Sequence, residues 1–358
     1  MIATKLVMEE RETLLSSVRP RPATKGLFEG SSRLEFSDAW AEIDLGTYRG
    51  QRIALKWVVY GISSDVDVSL GQVRLYPKHA RTPRPDVLIV CSDTHRYEYA
   101  LGKEGKALMP RLQALAQESI VFPSAYSSAS WTLPSMTSAL TGLPPRSHHT
   151  GRMARSKEPH PDSDGMSVPQ EGHFVFSPGK SVTAYPKELV TLPERLRLAG
   201  YTTALVAANW LYWMSGLGFD GNDFFINTDV VPGQQVNSAA LWVLEQVPRR
   251  EPLYMLVHYM DVHEWPRWYF GRQFPELGLS RGSRSQVIES YSQAVQDTDR
   301  VLESLLEAWA KRRNIENSLI IFLSDHGEHL KDPGFDHDNS MNAVLCRFRW
   351  KWRTAFRR

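Results

Sequence analysis

The stretch Val87-Leu-Ile-Val-Cys91, followed by Ser92-Asp93-Thr94, decides the fold class. A short, continuous apolar run of this kind is typical of a parallel strand that is buried on both faces. Two further runs have the same character, at 253–257 and 319–323, and helical spacing separates them, most clearly over 285–312. Strands that alternate with helices predict an α/β fold: a mostly parallel sheet with helices on both faces.

Acidic residues follow each of these three runs. Asp93 follows the first, Asp261 and His263 follow the second, and Asp325 and His326 follow the third. Ligands of open parallel sheets bind beyond the carboxyl ends of the strands, so we expect these side chains at one edge. Carboxylate oxygens with imidazole suit one divalent ion, such as Ca²⁺, Mg²⁺, Mn²⁺ or Zn²⁺. The sequence therefore predicts a metal site.

A second feature is the hydroxyl of Thr132 in Ser130-Trp-Thr-Leu-Pro-Ser135. Residues 134–143 read as a short helix, because proline is tolerated in a first helical turn. Thr132 would then lie at a helix N-terminus, which favours an anion. A nearby metal would lower the cost of ionising the hydroxyl, which suits a covalent nucleophile. The alternative is an ordinary threonine N-cap.

Composition excludes several classes of protein. The chain of 358 residues is 42% apolar and 23% charged, enough for a sizeable core, and its net charge of +2 gives no indication of a nucleic-acid partner. Two cysteines, Cys91 and Cys346, cannot build a disulfide framework. The sequence contains no run of about 18 apolar residues, so no integral membrane segment is predicted. No signal peptide is visible either, which leaves the compartment open.

Changes in sequence texture predict five segments. We expect a disordered lead-in, a β-rich and sandwich-like module, a linker, a catalytic domain, and a basic tail that looks non-native; these cover 1–30, 31–77, 78–85, 86–345 and 346–358. The long Pro-, Gly- and His-rich excursion over 144–187 reads as an aperiodic surface loop.

Several motifs resemble the type I sulfatase family. They are Arg84-Pro-Asp-Val-Leu-Ile-Val-Cys-Ser-Asp-Thr94, the segment Ala125–Ser135 with Leu140-Thr-Gly-Leu143, and Ser324-Asp-His-Gly-Glu328. The match runs in the family's order from about Pro85 to Leu345. It implies an alkaline-phosphatase-like α/β domain and a metal-dependent hydrolase or transferase. Relatives continue into a C-terminal subdomain, so the resemblance also implies a truncated chain.

The resemblance assigns roles to eight residues. The metal ligands would be Asp93, Thr132, Asp325 and His326. Thr132 would also be the nucleophile, and His263 would serve the leaving group as general acid. The basic residues near the bound sulfate or phosphate would be Arg96, His148 and His337.

Three positions depart from the family pattern. Thr132 stands where sulfatases have a Cys or Ser that is oxidised to formylglycine, so no formylglycine is expected. Met136 replaces an arginine, and Thr94 replaces the second aspartate of many relatives. An unmodified threonine fits attack on a phosphate ester better than on a sulfate ester. The alternative is a catalytically inactive, sulfatase-like binding protein or a truncated fragment.

The substrate would be a small-molecule, glycan or lipid ester of sulfate or phosphate. Loops over 144–187 and 264–284 would set specificity. Four aromatic residues of the second loop could stack on a sugar or aryl ring, or could pack on the domain: Trp265, Trp268, Tyr269 and Phe270.

Overall fold

The computed structural model describes most of the chain. The described residues are 2–8, 11–18, 48, 51, 53–59, 84–122, 124–155, 173–177, 180–218, 221–227, 230–275, 283–330 and 350–354. They divide into two units, one comprising 1–83 with 245–248 and the other comprising 84–244 with 249–358.

The described residues contain thirteen strands and ten α-helices. The strands are β1 Ile2–Met8, β2 Arg11–Val18, β3 Ala54–Val59, β4 Asp86–Ser92, β5 Ile120–Phe122, β6 Met153–Arg155, β7 His173–Ser177, β8 Lys180–Thr183, β9 Thr202–Ala207, β10 Phe224–Asn227, β11 Leu253–Tyr259, β12 Ser318–Leu323 and β13 Trp350–Thr354. The helices are α1 Tyr97–Ala100, α2 Gly105–Leu108, α3 Pro110–Gln117, α4 Thr132–Thr141, α5 Pro145–His148, α6 Leu192–Leu198, α7 Leu211–Ser215, α8 Gly233–Gln246, α9 Gly271–Gln273 and α10 Arg284–Arg312.

The first unit contains a three-stranded antiparallel sheet in the order β2-β1-β3. The expectation of a disordered lead-in over 1–30 is wrong for β1 and β2. These two runs carry β-prone apolar residues and only two residues separate them, which is the pattern of a hairpin. Of the β-rich module expected over 31–77, residues 48, 51 and 53–59 are described, and its other residues lie outside the described residues, as do residues 78–83 of the expected linker.

The second unit is built on a seven-stranded sheet in the order β10-β9-β11-β4-β12-β13-β5. Strands β10, β9, β11, β4 and β12 are parallel, and β4, β9 and β11 are buried along their whole length. The predicted α/β class, with a central parallel sheet flanked by helices, is confirmed.

Strand β4 brings two loops to the same edge of the sheet. Its residue Cys91 is the register partner of His258 in β11 and of Leu323 in β12. Asp93 comes two residues after Cys91, and Asp325 comes two residues after Leu323. The register therefore places both carboxylates at one level of the sheet.

The segment read as a non-native tail contains one described element. Strand β13 is antiparallel to both β12 and β5. Residues 331–349 and 355–358 lie outside the described residues.

The composition of 144–187 predicted an aperiodic loop, but part of this segment has regular secondary structure. It contains α5 and a three-stranded antiparallel sheet in the order β6-β8-β7. Interstrand hydrogen bonds satisfy backbone groups here, which composition alone does not indicate.

Two of the four aromatic residues in the 264–284 loop pack inside the domain. Trp265 and Phe270 are fully buried. The ring of Trp265 makes edge-on contacts with the rings of Phe270 and of Tyr291 in α10. For these two residues the structure supports the second alternative, packing on the domain. Among the described residues, no helix has both the length and the apolar character to cross a membrane.

A buried ion pair joins the start of β4 to the C-terminal end of α10. Arg313 donates from Nε to Asp86 Oδ2 at 3.1 Å and from Nη2 to Asp86 Oδ1 at 2.9 Å. Asp86 Oδ1 also accepts from the backbone N–H of Leu253 at 2.8 Å, at the first residue of β11. The pair thus fixes the ends of two central strands opposite the edge that carries Asp93.

We expect Arg313→Met to lower the free energy of unfolding by about 3–5 kcal/mol, because it leaves a buried carboxylate without its partner. Chemical denaturation checks this. The matched control is Lys311→Met, since Lys311 makes an exposed pair with Glu307 at 3.9 Å. That change should stay within about 1 kcal/mol of the parent. Equal losses in the two variants would contradict the assignment.

Candidate active site

Four functional groups meet at the carboxyl edge of β4 and β12. His326 Nε2 lies 3.5 Å from Asp93 Oδ1, 3.4 Å from Asp325 Oδ2 and 3.5 Å from Thr132 Oγ1. The predicted metal ligands Asp93, Thr132, Asp325 and His326 therefore form one cluster. All four residues are buried.

The loop after β4 is held in a strained turn. Thr94 has φ of +54°, a left-handed conformation that is an outlier for a β-branched residue. Its backbone N–H donates to Asp325 Oδ1 at 3.2 Å, and its carbonyl accepts from the hydroxyl of Tyr291 at 2.8 Å. Such strain persists only where the surroundings fix the conformation, which is common at active sites.

Two serines tie the segment before α4 to the loop after β12. The hydroxyls of Ser127 and Ser135 each donate to the backbone carbonyl of Asp325 at 2.5 Å. This carbonyl links the loop that carries Asp325 and His326 to the helix that begins at Thr132. Ser127, one of the serines in the run before α4, thus helps to position the cluster.

Thr132 is the first residue of α4, not its N-cap, which is Trp131. The alternative reading of Thr132 as a capping residue is therefore wrong. Its hydroxyl donates to Asp93 Oδ2 at 3.1 Å, and the residue as a whole is only 5% exposed. A helix N-terminus favours a negative charge on or beside this oxygen.

The cluster fits a divalent cation. Asp93 Oδ1 and Asp325 Oδ2 are buried and accept no hydrogen bond from the described residues. His326 Nδ1 donates to the carbonyl of Gly327 at 2.9 Å, so in the neutral ring Nε2 carries the lone pair, the tautomer that ligates metals. Buried carboxylate oxygens without donors are costly unless a cation binds them.

The spacing of the ligand atoms agrees with that fit. Donors on a tetrahedral zinc ion lie about 3.4 Å apart, since its bonds are about 2.1 Å long. Adjacent ligands of six-coordinate Ca²⁺ lie at about the same separation, because its longer bonds meet at right angles. The measured 3.4–3.5 Å spacing suits either ion and leaves the identity of the metal open.

The two carboxyl groups of the cluster have opposite pKa shifts. Burial opposes ionisation of Asp93, but the hydrogen bond from His258 and the neighbouring histidines hold its pKa below the ordinary value. Burial, followed by the charge of Asp93, raises the pKa of Asp325. Two carboxylates this close repel each other, and a cation between them would relieve that repulsion.

Two residues of the site were not singled out from the sequence. Asn209 donates from Nδ2 to Asp93 Oδ2 at 3.0 Å, and His258 Nε2 lies 3.1 Å from the same oxygen. His258 belongs to the motif His258-Tyr-Met-Asp-Val-His263, in which only Asp261 and His263 were predicted to be functional. No spacing signal marks Asn209, because it comes from the loop after β9.

Asp261 does not join the metal cluster, contrary to the expectation that all three strand ends contribute. Its Oδ1 accepts from the backbone N–H of Gly233 at 3.0 Å, at the first residue of α8. Burial raises the pKa of Asp261 to about 6. The carboxylate therefore serves a helix N-terminus, as acidic residues commonly do.

Two predicted residues lie beside the cluster. His263 is partly exposed, its Nδ1 is 3.0 Å from Glu264 Oε1, and its charge acts on Asp93. Arg96 donates from Nη1 to the carbonyl of Glu328 at 3.2 Å and lies 3.6 Å from Glu98. The general-acid role of His263 and the substrate role of Arg96 stay predictions.

The other two predicted substrate-binding histidines differ in outcome. His148 is buried, with Nε2 3.0 Å from the hydroxyl of Ser138 and Nδ1 accepting from the N–H of Thr150 at 3.1 Å. Both ring nitrogens are thus engaged by α4 and the turn after α5, and contact with a substrate stays a prediction. His337 lies outside the described residues.

Met136 carries no charge into the site where the family pattern has arginine. It is 1% exposed, and Cys91 Sγ lies 3.9 Å from its sulfur. The position behind Thr132 is therefore apolar. Thr94, the other neutral replacement, keeps a buried hydroxyl that has no hydrogen-bond partner among the described residues.

Comparison with known structures gives the same fold. The structure of BT4656 in complex with its substrate D-glucosamine-2-N,6-O-disulfate has a TM-score of 0.54 at 15% identity, over 76% of this chain and 71% of that one. Phosphonate monoester hydrolase of Agrobacterium radiobacter has a TM-score of 0.52 at 14% identity, over 76% and 68%. The periplasmic domain of phosphoethanolamine transferase EptC from Campylobacter jejuni has a TM-score of 0.52 at 12% identity, over 75% and 78%.

No curated protein sequence matches the chain. The family model for sulfatases matches residues 85–344, which is most of the chain and agrees with the range expected from the motifs. With the alkaline-phosphatase-like fold and the clustered strand-end residues, this match shows that the chain belongs to the sulfatase family of hydrolases and transferases.

Proposed function

We propose that this protein is a metal-dependent hydrolase or transferase that cleaves a phosphate ester, with the Thr132 hydroxyl as nucleophile. The observation that carries the proposal is the position of Thr132 Oγ1. It is the first side chain of α4, it donates to Asp93 Oδ2 at 3.1 Å, and it lies 3.5 Å from His326 Nε2. A hydroxyl in contact with two metal-ligand candidates is poised for activation.

The residues that would hold the ion are Asp93, Asp325 and His326, together with Thr132. When bound, a divalent ion supplies positive charge that lowers the pKa of a nearby hydroxyl and offsets charge on the transferred group. Members of the family are metal-dependent, and the candidate ligand atoms of Asp93, Asp325 and His326 all lie within 4.8 Å of one another.

In the first step, Thr132 Oγ1, oriented by its hydrogen bond to Asp93 Oδ2, forms a bond to phosphorus while its proton passes to a non-bridging oxygen of the phosphate group. The bond from phosphorus to the ester oxygen breaks, and His263 gives a proton to the departing alcohol. His263 suits that role because it is partly exposed beside the cluster, whereas Asp93 and His326 are fully buried. A leaving group can therefore depart toward solvent.

In the second step, a water molecule or an acceptor alcohol attacks the phosphorylated threonine. Neutral His263 now takes the proton of the attacking oxygen, and Thr132 Oγ1 leaves with the proton held on the phosphate group. The products are phosphate or a new phosphate ester, and the enzyme returns to its starting state. Water and alcohol differ only in what reaches the site, so one arrangement serves hydrolysis and transfer.

Phosphate is favoured over sulfate because of what residue 132 is. Thr132 carries a methyl group on Cβ and cannot be converted to the aldehyde on which formylglycine-dependent sulfatases rely. The neighbours that act on phosphonate esters or transfer phosphoethanolamine share this fold, which makes phosphorus chemistry compatible with it.

We expect Thr132→Val to reduce turnover of an aryl phosphate by at least about a thousandfold, because it removes the nucleophile and keeps the size of the side chain. The assay compares aryl phosphate, phosphodiester and sulfate substrates. Thr132→Ser is the matched control, since it keeps the hydroxyl and should retain measurable activity. Equal rates for the parent and Thr132→Val would refute the nucleophile. Ligand binding without turnover by the parent would support the non-catalytic alternative.

We expect purified protein to bind about one divalent ion per chain and Asp325→Asn to lose it, because that change removes a ligand charge. An ion present at a hundred times its dissociation constant stabilises the folded state by about 2.7 kcal/mol, so the parent should melt higher with metal than without it. The measurements are elemental analysis and thermal unfolding.

Asp261→Asn is the control for this experiment. Asp261 is also a buried acid after a central strand, but it lies at the start of α8 and not in the cluster. This variant should keep the ion. If Asp261→Asn loses the ion and Asp325→Asn keeps it, the metal site is assigned to the wrong carboxylate.

A further inference from the structure

The two oxygens of Asp93 have different surroundings. Oδ2 receives three hydrogen bonds, from Thr132 Oγ1 at 3.1 Å, Asn209 Nδ2 at 3.0 Å and His258 Nε2 at 3.1 Å. Oδ1 accepts none from the described residues and faces His326 Nε2 at 3.5 Å. One oxygen is thus saturated with donors and the other is left to a cation.

His258 is itself held by a second buried residue. Its Nδ1 lies 2.7 Å from the hydroxyl of Tyr212, and the two rings meet edge-on with centroids 5.4 Å apart. An ionised carboxylate only accepts, so His258 Nε2 carries the hydrogen toward Asp93. In the neutral ring Nδ1 then accepts, and Tyr212 donates.

Asn209 is oriented in the same way. Its Oδ1 accepts from the backbone N–H of Leu211 at 3.0 Å, at the start of α7. The amide nitrogen is therefore turned toward Asp93. Both donors have fixed directions, and both are almost completely buried.

We infer that His258, oriented by Tyr212, is a positioning residue that acts with Asn209 to reserve Asp93 Oδ1 for the metal and Asp93 Oδ2 for the proton of Thr132. The inference rests on the metal-dependent function proposed above. Three donors occupy the lone pairs of Oδ2, so the ion meets a single oxygen and the hydroxyl of Thr132 keeps its acceptor. Without His258, Oδ2 keeps two of its three donors and the carboxylate is held less firmly, so both contacts change together.

The test uses Co²⁺ as the probe, with the dissociation constant and the visible absorption spectrum of the bound ion as readouts. We expect His258→Leu to raise the dissociation constant about tenfold to a hundredfold, the usual effect of removing a partner of a metal ligand. Its spectrum should change as well, because the coordination by Asp93 changes. His258→Gln keeps a donor toward Asp93 and should recover most of the affinity and the parent spectrum.

A pair of tyrosine variants separates positioning from packing. Tyr212→Phe removes the hydroxyl that orients His258, and we expect weaker Co²⁺ binding and a lower kcat at unchanged KM. Tyr254→Phe is the matched control. Tyr254, a residue of β11, is also fully buried, and its hydroxyl has no hydrogen-bond partner among the described residues. It should leave the dissociation constant, the spectrum and kcat unchanged.

Three results would overturn the inference. They are parent-like affinity and spectrum in His258→Leu, equal losses in Tyr212→Phe and Tyr254→Phe, or no Co²⁺ binding by the parent. If His258→Leu fails to fold, the tyrosine pair decides. Failure of the proposed function reads differently: Thr132→Val then turns over substrate like the parent, while the binding results for His258 stand on their own.

Discussion

The structure of the site depends on one buried carboxylate. Asp93 follows the most central strand, is completely buried, and contacts Thr132, Asn209, His258 and His326, each of which comes from a different element of the chain. An isolated carboxylate in this environment would be protonated. Its pKa is instead held low by the hydrogen bond from His258 and by the nearby histidines, which outweigh the effect of burial. The sheet register, the start of α4 and the loop after β9 each bring a partner to this one group.

The central sheet and the metal cluster could be predicted from sequence because both leave local signals. Buried parallel strands read as continuous apolar runs, and the residues after Val87–Cys91 and Leu319–Leu323 must then meet at one edge. Asp261 was placed wrongly because strand-end acids have two common uses, metal binding and helix N-termini, and only the position of α8 distinguishes them. Asn209 was missed since its contact with Asp93 spans 116 residues and its loop has no periodicity. The hairpin β1–β2 was missed because charged residues interrupt its apolar residues, as Lys5 does in β1 and Glu12 does in β2.

The departures from the sulfatase pattern act together. Thr132 keeps an unmodified hydroxyl, Met136 packs against the thiol of Cys91 where an arginine is expected, and Thr94 contributes a neutral hydroxyl where an aspartate is expected. The loss of an anion near the metal and the loss of a cation behind the nucleophile offset each other in net charge. The result is a site with fewer fixed charges, in which Asp93 and Asp325 are the carboxylates that would hold the proposed ion. Such a site suits a nucleophile that is activated by position rather than by covalent modification.

In the proposed function, Thr132 carries the transferred group. The most direct test of this covalent intermediate is mass spectrometry of peptides from metal-loaded protein quenched with acid during turnover of an aryl phosphate. We expect a phosphorylated threonine at position 132 that appears within one turnover and disappears once substrate is exhausted. Turnover with Thr132 unmodified at every time point, or with phosphate on another residue, would contradict it.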